Sequence, residues 1–254
     1  MGDLLGFIPA AGLGTRMKGE LVIKELLPIL IDGMEEPELL FENSLKSIKE
    51  AGIDNVVCTI NELKPDLLKY MNLFSRKHQM SMSYIYQNLD SGEYGLPCAI
   101  YEASPFLKSH TIVMRFPDTV LMPVNCVKDL LDFHYQKGSV LTLGVFETEH
   151  PERLAPVILS EDGKIKEIQD KPQHPLANNT WNCVIWENAF LDVIEELVQS
   201  LRQENEDRKE LLLIDAFNKC LEKNLPVYGM QVKDGVCVDI SSGKDYVKLW
   251  KNIM

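Results

Sequence analysis

Apolar and polar residues alternate along this chain in two different patterns, and the first pattern gives way to the second near residue 146. Before that point, short β-rich apolar runs alternate with segments whose apolar residues recur every three or four positions. This pattern predicts an α/β fold with a mostly parallel sheet that is covered by helices on both faces. The predicted strands are LLGFIPA, NVVCTI, SMSYIYQ, TIVMRF and SVLTLGVFE. The predicted helices are PELLFENSLKSIKEAG, KPDLLKYMNLFSRKH, GLPCAIYEASPFL and VNCVKDLLDFHYQKG.

The second half has a different pattern. Two extended runs flank the turn sequence at residues 161–163 in APVILSEDGKIKEIQDKP, which indicates an antiparallel hairpin. The remaining predicted elements are a strand in WNCVIWENAF, a charged helix in NAFLDVIEELVQSLRQENEDRKE, strands in PVYGMQV and VCVDI, and a last helix in SGKDYVKLWKNIM. We find no repeat, low-complexity tract or linker. The chain is therefore predicted to be one domain, 1–254, with a nucleotide-binding half at 1–146 and a closing half at 147–254.

Composition narrows the classes of partner. A formal net charge of −12 argues against a nucleic acid or an anionic membrane surface as partner, since both require a basic face. No segment approaches eighteen uninterrupted apolar residues, and the first residues carry an acid where a signal peptide carries bases, so we expect a cytoplasmic protein. The six cysteines and five histidines show no metal-ligand spacing, and the thiols are expected to be reduced.

The stretch IPAAGLGTRMKGELVIKELLP holds the first candidate chemistry. Its glycines allow the backbone to approach a ligand closely and to point several amides at it. Arg16 and Lys24 would then supply positive charge to phosphates, Arg16 through a planar fork and Lys24 as a point charge. A glycine turn with two exposed basic residues explains the same string. The spacing is neither that of the Rossmann fingerprint nor that of a P-loop.

The strings GLGTRM and KELLPI together resemble the signature of the sugar-1-phosphate nucleotidyltransferases, which include the glucose-1-phosphate thymidylyltransferases. In that family a G-x-G-T-R loop closes over a nucleoside triphosphate, and a P-K-x-L-L-P-I segment places a catalytic lysine. The resemblance implies that Arg16 and Lys24 are catalytic. The nucleotide-binding residues that it implies in this loop are Ala10, Ala11, Gly12, Gly14 and Thr15. The insert between arginine and lysine is shorter here, and Ile23 replaces the usual proline.

Later segments resemble the landmarks of the same family in the same order. In YQNLDSGEYGLPCA, the resemblance makes Gln87 the reader of the base and Gly95 the start of a helix against the nucleotide. In VMRFPDTVLMP, Asp118 stands where the family has L-G-D-N, and Asp239 in GVCVDISSGKDYVKLW matches a late family aspartate. The resemblance makes both aspartates ligands of Mg²⁺, a cation that proteins bind through one or two carboxylates together with the phosphate oxygens of a substrate. Taken singly, Gln87 and Asp118 are explained better as strand-end and turn residues, and Asp239 as a residue that caps the following helix.

Three further segments resemble the part of the family that binds the sugar phosphate. KEIQDKPQHP resembles E-E-K-P, which implies that Asp170 binds sugar hydroxyls and Lys171 the sugar phosphate. EDRKELLLID resembles R-G-x-L-x-I-T-D, which implies Arg208 as a phosphate ligand and Asp215 as a helix cap. Trp181 lies in a strand that resembles one lining the sugar site, where an aromatic ring can stack on a sugar.

The resemblance implies a Rossmann-like, GT-A-like fold with a small antiparallel sugar-binding insertion. It implies Mg²⁺-dependent nucleotidyl transfer from dTTP or UTP to a sugar-1-phosphate, and it allows a homo-oligomer. Two alternatives stay open: a cytidylyltransferase for phosphocholine or an alditol phosphate, and a nucleotide-binding regulatory homologue without turnover. A GT-A glycosyltransferase ranks last, because the sequence has no D-x-D motif.

Overall fold

The computed structural model describes residues 2–12, 23–30, 36–87, 95–204, 210–240, 242–243 and 245–247. The described strands are Asp3–Pro9 (β1), Pro28–Ile29 (β2), Glu38–Leu39 (β3), Asn55–Ile60 (β4), Ser81–Tyr86 (β5), His110–Met114 (β6), Thr119–Met122 (β7), Leu141–Glu147 (β8), Val157–Leu159 (β9), Ile165–Ile168 (β10), Asn179–Trp186 (β11), Val227–Gln231 (β12) and Val236–Asp239 (β13). The described helices are Leu40–Glu50 (α1), Pro65–Lys77 (α2), Leu96–Leu107 (α3), Cys126–Lys137 (α4), Asn188–Glu204 (α5) and Leu213–Glu222 (α6).

Seven of these strands form one sheet in the order β12-β8-β11-β6-β1-β4-β5. Within the described sheet, β11 alone runs opposite to the other strands, and all other neighbours pair in parallel. The predicted mixed, mostly parallel α/β sheet is therefore confirmed, as are the strands and helices predicted before residue 146. The sheet takes strands from both sides of that residue. The division into two functional halves stays a prediction.

Alternation of apolar residues along the central strands explains why helices cover both faces. In β1, Leu5 and Phe7 pack into one apolar cluster while Ile8 packs into the other, because successive side chains of a strand point to opposite faces. In β11, Trp186 and Ile185 divide between the two clusters in the same way. A strand that is buried on both faces reads as one continuous apolar run, as these segments do.

Three short antiparallel pairs complete the described fold: β9 with β10, β7 with β13, and β2 with β3. The first is the hairpin predicted around residues 161–163. The partnership of β7 with β13, and the helix α6, were not predicted from the pattern. Of the predicted last helix, residues 243 and 245–247 are helical and the rest lies outside the described residues. None of the described helices is both long and apolar enough to cross a membrane.

An aromatic cluster around Phe190 anchors α5 to the sheet. The ring of Phe190 is fully buried, with its centroid 5.4 Å from that of Trp186 and 5.9 Å from that of Phe217. We expect Phe190→Ala to lower the free energy of unfolding by about 3–5 kcal/mol, because it removes buried contacts and leaves a cavity. The measurement is urea unfolding, with Phe106→Ala as control, since Phe106 is 58% exposed and should change stability by less than about 0.5 kcal/mol. Equal losses in both variants would contradict this account of the core.

Candidate active site

Several of the candidate residues lie at the carboxyl edge of the seven-stranded sheet. Residues 10–12 follow β1, Gln87 follows β5, and Asp118 lies four residues beyond the end of β6. These three strands are parallel, so their carboxyl ends lie at the same edge. In open α/β sheets ligands bind outside this edge. The fold therefore brings together residues that are far apart in the sequence.

The order of the strands in the sheet determines the spatial order of the candidate residues along this edge. Gln87 follows the edge strand β5, two strands away from β1, and strand spacing puts about 10 Å between the two strand ends. The turn that carries Asp118 follows β6, on the other side of β1. Trp181 comes next, because the antiparallel β11 begins where its neighbours end. The row therefore runs from Gln87 past residues 10–12 to Asp118 and Trp181.

Lys24 forms an ion pair with Asp118 at the middle of this row. It opens a single 3₁₀ turn, Lys24–Leu26, and its Nζ donates a hydrogen bond to the Asp118 carboxylate. Burial acts to lower the pKa of Lys24, but the Asp118 carboxylate, with smaller contributions from Glu25 and Asp239, raises that pKa above its ordinary value. Lys24 is consequently a fixed positive charge at neutral pH.

Asp118 and Asp239 lie at the same end of the β7–β13 ladder. Asp239 pairs with Thr119, and the Ile240 N–H donates to the Asp118 carbonyl at 3.0 Å. Two carboxylates with adjacent backbones form a donor set that suits Mg²⁺, which takes one or two carboxylates and completes its shell with water and phosphate. Within the part of the chain that the structure describes, no group of three or more histidine, cysteine or acidic side chains forms a closed metal cage.

A buried ion pair supports the segment that precedes the glycine loop. Lys64 donates to the Ala10 carbonyl at 2.9 Å and to Glu25 Oε1 at 2.7 Å, and all three residues are buried. Asn61 donates its amide to the Ala11 carbonyl at 2.5 Å. The strand end at residues 10–11 is thereby tied to the residue next to Lys24. Sequence reasoning missed Lys64, Glu25 and Asn61, since a charged or polar residue at a helix start or in a turn is normally interpreted as solvent-exposed.

Gly95 brings the start of α3 into close contact with Leu211, in the later part of the chain. Its backbone has a φ of +113°, and a Cβ at this position would lie 2.1 Å from the Leu211 carbonyl oxygen. Only glycine fits, because an L side chain would meet both the strained φ and the clash. The predicted helix start at Gly95 is confirmed as the residue before α3. Asp215 also acts as expected of a cap, since its Oδ2 accepts the Leu212 N–H at 2.9 Å.

The predicted sugar-side residues occupy two different surroundings. Asp170 and Lys171 are exposed after β10, and no hydrogen bond or ion pair among the described residues joins them to Lys24 or Asp118. Trp181 is half-buried and packs against Phe116 and Phe217, with ring centroids 6.1 and 4.9 Å away. The candidates that lie outside the described residues are Gly14, Thr15, Arg16 and Arg208.

The sequence of the chain has relatives among known proteins. The profile of the nucleotidyl transferase family matches residues 5–254, and the chain belongs to this family. It is 24% identical over 246 residues to the mannose-1-phosphate guanylyltransferase catalytic subunit beta of Drosophila pseudoobscura pseudoobscura, covering 92% of this chain and 62% of that protein. It is 25% identical over 168 residues to the bifunctional protein GlmU of Francisella tularensis subsp. holarctica (strain OSU18), covering 65% of this chain and 32% of that one.

Among solved structures, the fold is similar to a crystal structure from Bacillus anthracis assigned as a glucose-1-phosphate thymidylyltransferase in complex with a sucrose. The TM-score is 0.81 at 17% sequence identity, and the match covers 97% of this chain and 94% of the other. This similarity establishes the predicted fold. The chain spans less than two thirds of the length of the guanylyltransferases and of GlmU.

The buried Lys64–Glu25 pair generates a prediction. We expect Lys64→Met to lower the free energy of unfolding by about 3–5 kcal/mol, because it leaves the Glu25 charge buried without its partner. Lys108→Met is the matched control, since Lys108 pairs with Glu195 at 3.9 Å on the surface and should cost less than about 1 kcal/mol. Urea unfolding measures both. A Lys64 variant no less stable than the Lys108 variant would refute the supporting role.

Proposed function

We propose that this protein is a Mg²⁺-dependent sugar-1-phosphate nucleotidyltransferase. It transfers a nucleotidyl group from a nucleoside triphosphate to a sugar-1-phosphate and releases pyrophosphate. The observation that carries the proposal is the Lys24–Asp118 pair beside Asp239, in the middle of a row that begins with Gln87. This order matches a nucleotide laid along the edge with its base at Gln87 and its phosphates at residues 10–12 and Lys24.

The reaction is an in-line displacement at the α-phosphorus. An oxygen of the sugar-1-phosphate forms the new P–O bond, the bond to the β-phosphate oxygen breaks, and pyrophosphate leaves with that electron pair. The attacking phosphate is already an anion, so no general base is needed. Catalysis is then positioning and charge neutralisation. Bound Mg²⁺, held by Asp118 and Asp239, would supply charge neutralisation at the phosphates.

The protein's cations have separate tasks in this scheme. Lys24 stabilises the negative charge that develops at the α-phosphate, and its raised pKa keeps it protonated at neutral pH. Arg16 holds the leaving pyrophosphate. Lys171 and Arg208 orient the sugar phosphate, while Asp170 accepts sugar hydroxyls. Before nucleotide binds, Asp118 balances the charge of Lys24 and holds it near the phosphate position.

The nucleobase is the finer part of the proposal. A primary amide offers both a donor and an acceptor, so Gln87 suits thymine or uracil and supports dTTP or UTP. Gln87 is buried next to the end of β4, where its N–H donates to the Ile60 carbonyl at 2.9 Å. The similarity to mannose-1-phosphate guanylyltransferases favours a second candidate, transfer of guanylyl from GTP to mannose-1-phosphate. Cytoplasmic location stays a prediction from the sequence, and a homo-oligomer is allowed by the family resemblance alone.

A pyrophosphate-release screen tests the function. The common nucleoside triphosphates are each combined with a panel of sugar-1-phosphates, phosphocholine and an alditol phosphate, with and without Mg²⁺. Release that requires a sugar-1-phosphate supports the proposal, and release only with phosphocholine or the alditol phosphate identifies the cytidylyltransferase alternative. Thermal stabilisation by a nucleotide without any release identifies a binding homologue without turnover.

Asp118→Asn tests the metal assignment. We expect it to lower Mg²⁺-dependent pyrophosphate release by at least about 10²–10³-fold, since it removes one anionic ligand and the partner of Lys24. Thermal unfolding should show that the variant stays folded. Asp129→Asn, the same change at an exposed position of α4, serves as control and should leave turnover unchanged. Undiminished release in the Asp118 variant would remove this residue from the site.

A further inference from the structure

Arg115 is a fully buried charged residue that lies three positions before Asp118 in the sequence. Its side chain is 0% exposed, and burial lowers the pKa of its guanidinium below the ordinary value. Among the described residues, no carboxylate lies within hydrogen-bond distance of the guanidinium. A buried cation without a carboxylate partner is costly, and an apolar side chain of similar volume often serves stability as well or better. Its presence therefore calls for a role other than stability.

The guanidinium spreads its donors over three elements. Nε donates to the Ser47 hydroxyl of α1 at 2.9 Å, and Nη1 donates to Asn182 Oδ1 of β11 at 2.9 Å. Nη2 donates to Asn43 Oδ1 of α1 at 3.1 Å and lies 3.4 Å from the carbonyl of Thr119, which begins β7. A planar fork can bind partners in several fixed directions at once, and a lysine ammonium cannot reproduce this geometry.

These contacts hold the turn that carries Asp118 at both of its ends. The Arg115 backbone is fixed to β1 through its own N–H, which donates to the Phe7 carbonyl at 3.1 Å, and the Thr119 carbonyl is fixed by the guanidinium. Between them, Ser44 of α1 donates its hydroxyl to the Phe116 carbonyl at 2.5 Å. Asp118 thus lies in a short segment clamped against α1.

Asn43 extends the clamp into β7. Its Nδ2 donates to the Leu121 carbonyl at 3.2 Å, and its Oδ1 accepts the Leu121 N–H at 2.9 Å as well as the bond from Arg115. Because β7 pairs with β13, this clamp also fixes the strand beside Asp239. The guanidinium is therefore connected through one buried network to the backbones of both candidate cation ligands.

The same guanidinium reaches a strained point of β11. Asn182 Oδ1 accepts the Cys183 N–H at 2.8 Å in addition to the bond from Arg115. Cys183 has a φ of +61° and lies in a bulge between Asn182 and Val184. A non-glycine residue keeps such a conformation only where its surroundings determine it, and bulges of this kind cluster beside active sites. Arg115 thus joins the Asp118 turn to the strand that carries Trp181.

We propose that Arg115 is a positioning residue that fixes the Asp118 turn for divalent-cation binding, acting through Thr119, Asn43 and Ser47. The identity of Asp118 as a cation ligand rests on the proposed function. Arg115 itself touches no substrate. The sequence gives one indication of a special role for Arg115. It follows the apolar run TIVM, and a charged residue next to a buried strand requires an explanation.

Mn²⁺ binding tests this role without requiring turnover. The full chain is titrated with Mn²⁺ alone, and the free ion is measured by electron paramagnetic resonance. We expect Arg115→Met to raise the Mn²⁺ dissociation constant by at least about tenfold, as loss of a group that orients a metal ligand does. Arg115→Lys should recover part of the loss, because its ammonium can still donate to some of the fork's partners, and Ser47→Ala, which removes one partner of the fork, should raise the constant about threefold.

A matched control separates positioning from general destabilisation. Thr111→Val removes a buried hydroxyl that donates to Glu187 at 2.8 Å at the opposite edge of the sheet. It should lower thermal stability without changing Mn²⁺ binding. Arg115→Met that binds Mn²⁺ as tightly as the unaltered protein would overturn the proposal. If neither Arg115 variant folds, Ser47→Ala decides, and unchanged binding in that variant overturns the role equally.

Turnover distinguishes this proposal from the proposed function. With an active substrate pair, the Arg115 variants should require more Mg²⁺ for half-maximal rate and should recover kcat at high Mg²⁺. A weakened Mn²⁺ affinity in the variants, with no pyrophosphate release by the unaltered protein from any pair, would refute the enzymatic function and support the positioning role. Pyrophosphate release by the unaltered protein, together with unchanged Mn²⁺ affinity in the variants, would support the enzymatic function and refute the positioning role. An unaltered protein that binds no Mn²⁺ would overturn the role together with the metal assignment.

Discussion

The ion pair between Lys24 and Asp118 joins two segments that lie 94 residues apart in the chain. Its two segments are held in place from two sides. Glu25 and Lys64 hold the lysine's own turn against the end of β1, and helix α1 holds the aspartate's turn from the other side. The pair is also an electrostatic necessity. A carboxylate pair at Asp118 and Asp239 repels itself when no cation is bound, and the neighbouring Lys24 charge offsets that repulsion.

Helix α1 has a double role that follows from its sequence. One of its faces buries Phe41, Leu45 and Ile48 in the apolar core. Asn43, Ser44 and Ser47 are buried as well, and they direct their polar groups at the segment from Arg115 to β7. An amphipathic helix normally turns such residues to water. Here these polar side chains form hydrogen bonds with the segment that connects β6 to β7. The backbone groups of this segment are not all paired within a sheet, so the side chains of α1 satisfy them in place of water.

The periodicity of apolar residues was sufficient to predict the central sheet but not the arrangement of the candidate site. Long apolar runs such as those of β1 and β8 predicted their strands, because burial on both faces leaves little choice of residue. The strand β13 was predicted in VCVDI, but β7 and its pairing with β13 were missed, since a four-residue strand carries a weak signal and the pairing is remote in sequence. Asp118 and Asp239 were therefore paired through the family resemblance rather than through pattern. Lys64 and the partners of Arg115 were missed for a related reason: the partners come from distant elements, and no local spacing encodes a buried network.

The β7–β13 ladder has a consequence for the order in which the molecule is made. One aspartate of the pair leaves the ribosome early, directly after β6, while the other is the last residue of β13 and follows every other strand of the described fold. β11 must also enter between β6 and β8 before the sheet is continuous. A nascent chain consequently acquires its β1, β4 and β5 core well before the two carboxylates can meet. Pairings of such long sequence separation are slow to form. The juxtaposition of Asp118 and Asp239 should therefore be among the last features that the folding chain acquires.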